Sequence, residues 1–254
     1  GRNRLAEADL IYGWALISVV FTTLGLISTL SFTIIAYGLL AVAAVAIVLI
    51  IRRDGHFLDP GLRRLALLSI PLLVLVADMV PSQWDEFTNW LPNVRYLLEY
   101  DGFPRGVRSN DYHPHPAYPY GLPLMIYLAS RIAGGLVEHS GAVFNLLFYL
   151  SFGAVIARVI HMGVTEHDRS AAVTGPLGWG YYALGGLAMT ALSPTFVPKV
   201  VFTAYADAGT AVALGLAGVL GWMLLDALER NDKVDARRLA WQFSLAAVVL
   251  INLK

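Results

Sequence analysis

The run from Phe32 to Ile51, FTIIAYGLLAVAAVAIVLII, contains no charged residue. About 20 such residues wound as a helix match the hydrocarbon thickness of a bilayer. Lipid offers no partner for backbone N–H and C=O groups, so a spanning segment must satisfy them internally. Apolar runs recur at 10–30, 33–51, 65–80, 119–137, 141–160, 172–192, 208–228 and from 240 onward. Composition agrees: 57% of the 254 residues are hydrophobic and 14% are charged, against about 25% charged in soluble domains. The chain reads as an all-α, polytopic membrane protein.

The placement of charge sets the expected topology. The formal net charge is zero, which gives no electrostatic footprint for nucleic acid. Basic residues cluster at Arg52, Arg53, Arg63 and Arg64, at Arg158 and Arg169, and at Arg230, Lys233, Arg237 and Arg238. Basic loops favour the cytoplasmic side. If 119–137 crosses the membrane, the later clusters fall outside; if it does not, all fall inside. Pro114, Pro116, Pro119, Pro123 and Arg131 suit an interfacial or re-entrant helix at 119–137 better than a span. The expectation is therefore about seven spans, the last incomplete where the chain stops at VVLINLK, with interfacial helices near 87–100 and 119–137. The loops 81–118 and 193–207 then share the outer face. The first apolar run is too long for a cleavable signal peptide. Cysteine is absent, which excludes disulfides and thiolate metal sites.

Chemistry is expected where those two outer loops carry charge. Asp85 and Glu86 lie in WDEF, and as neighbours on a helix they point to different faces and take different roles. Asp85 reads either as a general base or as the N-cap of the following EFTNWLPNV, with Trp84 and Trp90 as interface anchors. Asp207 stands where the chain re-enters the membrane, a costly place for an idle carboxylate, though one favoured by the helix dipole. His113 and His115 in YHPHPAYPYG alternate along an extended backbone, as cation or phosphate ligands or as parts of a structured loop. Arg105, Arg108 and Lys199 break the charge rule and suit a phosphate, of the substrate or of lipid headgroups. Within the spans, Asp78 either lines a cavity or reaches outward, and Asn145 suits a hydrogen bond between helices. The glycines of GWGYYALGG and LGLAGVLG suit close helix packing.

An acidic WDEF motif opens the first outer loop, YPYGLPLMIYL follows, then two spans, then SPTFVPKVVFTAYADAGTAVAL. This order resembles the N-terminal half of the GT-C superfamily of integral-membrane glycosyltransferases, which includes protein O-mannosyltransferases and lipid A aminoarabinose transferases. The resemblance covers 65–254 as a transmembrane catalytic core, with 1–64 as an added N-terminal hairpin and cytoplasmic loop. It implies that Asp85 is the catalytic base with Glu86 beside it. Asp207 would hold a metal or the donor phosphate, with Glu86 sharing a divalent cation such as magnesium or manganese. Arg105, Arg108, His113, His115, Lys199 and Tyr205 would contact donor phosphate or substrate.

The resemblance further implies a polyprenyl-phosphate-linked sugar as donor and a glycan, lipid or protein as acceptor. Transfer would invert the anomeric carbon at the outer face of a bacterial inner membrane, in cell-envelope assembly. General-base help of this kind contributes about 10²- to 10⁴-fold, and the leaving phosphate needs a compensating cation. A transporter or channel subunit is the rival reading, but it calls for more polar residues inside the spans than these. A non-catalytic scaffold on the same fold is the third.

Overall fold

The computed structural model describes residues 5–55, 60–105, 118–164, 177–192 and 203–253. Helices and turns make up the described residues. In chain order they are α1 (Asp9–Ile27), α2 (Phe32–Asp54), α3 (Pro60–Ala77), α4 (Leu91–Tyr100), α5 (Gly121–Ala133), α6 (Ser140–Val164), α7 (Trp179–Leu192), α8 (Ala206–Glu229) and α9 (Lys233–Ile251). A short 3₁₀ turn precedes α1, and a π turn over Glu86–Trp90 runs into α4. Five of these segments are long and apolar enough to cross a bilayer: Ala6–Ile27, Phe32–Arg53, Pro60–Ala77, Ser140–Val164 and Ala206–Glu229. The described parts of the expected spans at 172–192 and from 240 are not among these five. The described part of the first, α7, has 14 residues, and α9 carries Lys233, Arg237 and Arg238 in its first two turns.

Local signals explain the helix limits. Ser31, extended at φ −69° and ψ 146°, caps α2 by accepting the Ile34 N–H, one of the donors a helix start leaves without a partner. Gly55 closes the same helix at φ 74°, and Gly134 closes α5 at φ 77°, the left-handed geometry that glycine enters at no steric cost. Asp232 caps α9 by accepting the Asp235 N–H.

Packing fixes the ends of the bundle. Leu62 and Leu65 of α3 cluster with Ala154 and Ala157 of α6, while Val76 clusters with Ala142 and Leu146. The two helices are thus antiparallel. The end of α2, the starts of α3 and α9, and the ends of α6 and α8 then share one end of the bundle, with the described basic clusters. The segments around Asp85 and Asp207 share the other. Arg64 reinforces the basic end by donating to the Leu177 carbonyl and lying over the Trp179 ring at 5.8 Å. The α6–α7 crossing is close because Gly185 faces Gly153: a Cβ on Gly185 would collide with the Gly153 carbonyl. That contact accounts for one of the glycine-rich stretches.

α1 sits inside this assembly. Trp14 stacks on Phe148 of α6 with ring centroids 4.1 Å apart and donates to the Gly121 carbonyl. At the basic end Glu7 and Arg158 form a buried ion pair, with Arg158 Nε 2.9 Å from Glu7 Oε1. Gln242 of α9 accepts from the Leu5 N–H and the Tyr12 hydroxyl. α1 and the turn before it therefore share a core with the later helices. α2, by contrast, is exposed along most of its length, as a lipid-facing helix is.

α5 does not cross. Its first residue, Gly121, donates to the Asn252 carbonyl just past the end of α9, and its Ile126 meets Gly141 at the start of α6. Those partners lie at the carboxylate end. Trp14 touches Gly121 while Phe21 packs edge-on against Tyr127 at 6.0 Å. α5 accordingly runs alongside α1 in the same direction and does not lie flat beneath it. Trp90 also departs from expectation. It is buried at 3% exposure against Tyr118, whereas Trp84 is 78% exposed; of the two, Trp84 alone keeps the exposure an interface anchor needs.

Candidate functional site

The site begins where α3 ends and the chain turns through Pro81–Gln83 into the π turn. Glu86 is 2% exposed. Burying a carboxylate without partners is prohibitive, and this one has three backbone donors. Its Oε2 accepts from the Ser82 and Gln83 N–H groups, each at 2.9 Å, and its Oε1 accepts from the Ala204 N–H at 2.8 Å. The last bond ties the first loop to the segment before α8 across 118 positions of sequence.

Asn145 of α6 makes a second tie. Its Nδ2 donates to the Thr203 carbonyl at 2.7 Å and the Tyr205 carbonyl at 2.8 Å. Two carbonyl acceptors on one nitrogen fix which way the amide points. The expected polar contact of Asn145 thus exists, but it reaches a loop backbone and not a neighbouring helix.

Held this way, the two segments bring Asp85, Glu86, Tyr205 and Asp207 together. Asp85 and Asp207 are half-buried, the latter in the first turn of α8. Asp85 makes no side-chain capping bond, which overturns the capping alternative; Glu86 serves the local backbone instead. Burial pushes the Tyr205 phenol above its ordinary value. The Asp85 backbone amide bonding its oxygen pulls it back, and the Asp85, Glu86 and Asp207 carboxylates raise it again. The phenol therefore stays protonated at neutral pH and keeps an O–H donor within electrostatic reach of the three carboxylates. Asp207 also lies within electrostatic reach of Tyr149.

Other expected site residues fall elsewhere. Both Glu86 oxygens accept backbone N–H bonds, so part of the acceptor capacity expected for a cation shared with Asp207 serves the local backbone. Among the described residues no three His, Asp or Glu side chains converge to hold a metal ion. Arg105 is exposed and lines a separate cavity beside the α1–α2 turn. Arg108, His113, His115 and Lys199 lie outside the described residues. Asp78 is exposed just beyond α3, the outward-reaching alternative.

A polar cluster that the sequence reading did not single out stands at the far end of α4. Asp101, in left-handed geometry at φ 53°, caps that helix. Its Oδ1 accepts from the Tyr127 hydroxyl (2.5 Å), from Thr33 N–H (3.0 Å) and Oγ1 (2.9 Å), and from Arg131 Nη2 (3.0 Å). This joins α2, α4 and α5. Burial raises the Asp101 carboxyl, but the Tyr127 and Thr33 hydrogen bonds and the Arg131 charge outweigh it and hold the group below the ordinary aspartate value. Tyr127 is pushed up to about 12 by burial and by its bond to Asp101.

No family model matches the chain, and comparison with curated proteins and with solved structures finds no significant match. Fold and site define a helical membrane protein with a carboxylate–tyrosine cluster at one end of its bundle.

Proposed function

We propose that this protein is an inverting glycosyltransferase that moves a sugar from a polyprenyl phosphate to an acceptor hydroxyl. The observation that supports it best is the Glu86–Ala204 bond. It spends one carboxylate on structure, and so sets the half-buried Asp85 beside Tyr205 and Asp207 at the end of the bundle opposite the basic residues. By the positive-inside rule that end faces outward.

In this reading Asp85 takes the proton of the acceptor hydroxyl as its oxygen bonds to the anomeric carbon. The bond from that carbon to the phosphate oxygen breaks on the opposite face, and its electron pair leaves with the polyprenyl phosphate. One displacement inverts the centre. Asp207 offsets the positive charge that develops on the sugar, and Tyr205 donates its O–H to a sugar oxygen. A divalent cation would supply charge for the leaving phosphate if one binds there, and Arg108 or Lys199 would serve the same end.

The test is Asp85→Asn in purified protein supplied with undecaprenyl phosphate carrying mannose, glucose or arabinose. Transfer should fall by about 10²- to 10⁴-fold with unchanged thermal stability. Full retention of transfer refutes Asp85 as the base. Because the chain has no cysteine, single replacements report orientation: Ser82→Cys should react with an impermeant maleimide from outside intact cells and Lys233→Cys should not.

A further inference from the structure

A cavity of about 260 Å³ opens between the α1–α2 turn and the C-terminal end of α4. Drug-sized ligands take about 300–1,000 Å³, so this space suits one ring-sized polar unit. Its lining is mixed. Tyr96 and Tyr100 supply an aromatic wall with ring centroids 4.6 Å apart and planes tilted by 34°. Tyr96 is buried and Tyr100 is 41% exposed, so the second ring forms the open side. Thr29 and Ser31 bring hydroxyls from the turn, Asp101 a carboxylate and Arg105 a cation. The Asp101 staple to Thr33, Tyr127 and Arg131 holds this wall in shape before anything binds.

The lining discriminates between ligand classes. A phosphate would face the Asp101 carboxylate, with Arg105 as the single cation among the described lining residues. A sugar ring has C–H faces for the tyrosines and vicinal hydroxyls that a carboxylate, a guanidinium and serine or threonine hydroxyls both accept from and donate to. We propose that this cavity binds one sugar unit and acts as an acceptor subsite remote from Asp85. Asp85 and Tyr100 are fifteen positions apart along nearly continuous helix, which at 1.5 Å per residue is about 20 Å. An acceptor glycan of several units lying along α4 would place its reacting end at Asp85 and an earlier unit in the cavity. The subsite role rests on the transferase reading; sugar binding does not.

Saturation-transfer NMR on the full chain in nanodiscs tests it, with the methyl glycosides of mannose, glucose, galactose, rhamnose and arabinose as probes and inorganic phosphate as competitor. At least one glycoside should show transfer in the wild type and in Asp85→Asn. The signal should fall at least tenfold in Thr29→Trp, which fills the mouth from an exposed turn position, and in Tyr100→Ala. No signal with any glycoside, an undiminished signal in Thr29→Trp, loss in Asp85→Asn, or displacement of the sugar by phosphate would each overturn the proposal. If glycosides bind as expected but no sugar is transferred from any polyprenyl phosphate, the transferase reading fails and the binding site stands.

Discussion

Replacing Glu86 by Gln tests the tie that assembles the site, with little change in size. The carboxylate accepts three backbone N–H bonds, two at Oε2 and one at Oε1. An amide has one acceptor oxygen, so it is best placed toward Ser82 and Gln83, leaving its NH₂ against the Ala204 N–H. One bond to a charged acceptor is lost, and a donor then faces a donor. Hydrogen bonds to charged groups contribute about 1.5–3 kcal/mol, which is about a 10- to 150-fold change in the equilibrium releasing the 203–205 segment. Asn145 still holds that segment through the Thr203 and Tyr205 carbonyls, so release should be transient, and Glu86→Gln with Asn145→Ala should exceed the sum of the two. The assay is hydrogen–deuterium exchange in nanodiscs, read on the peptide containing Ala204. Its uptake should quicken by about that factor, with helical circular dichroism unchanged. Unaltered exchange at Ala204 would refute the clamp and, with it, the reason given for Asp85 and Asp207 standing together.

Arg158→Met leaves Glu7 buried without its partner and should destabilise the chain by about 3–5 kcal/mol, seen as a lower thermal midpoint in detergent; Glu7→Leu on the same background should recover most of the loss. Because the Asp101 carboxyl is held below the ordinary aspartate value of 3.8, its contribution is fully present above that value. It is lost as pH falls through the lowered native one, so thermal stability should drop as the pH is taken below 3.8 in the wild type and less in Asp101→Asn. Gly121→Ala places a methyl against the Asn252 carbonyl. Overpacking of that kind costs about 1–3 kcal/mol, and a cross-link between the start of α5 and the end of α9 should form less readily; equal cross-linking would sink the close approach.

Hydropathy and charge read along one strand of sequence carry far into this fold. They mark the apolar helices and gather the described basic clusters at one end, because each follows from residue types within one local window. The site is legible only in part for the same reason. Asp85 and Glu86 are adjacent acids in the same motif, and nothing local says which is spent on structure; the Ala204 N–H that decides it lies 118 positions away. Trp90 reads as an interface anchor until Tyr118 is seen covering it. Arg105 groups with the other outer cations by sequence, yet it lines the cavity with Asp101 because the π turn and α4 carry the chain about 20 Å away from Asp85. The Asp101 cluster left one local trace, Tyr127 and Arg131 spaced i,i+4 on α5 with Arg131 Nε 3.1 Å from the Tyr127 hydroxyl. Its remaining members come from α2 and α4, out of reach of any periodicity. Where partners are backbone amides of distant segments, as for Glu86 and Asn145, side-chain identity fixes only what a residue can accept or donate. The fold decides to whom, and that decision turns two acids of equal standing into one that holds the site together and one left half-exposed within it.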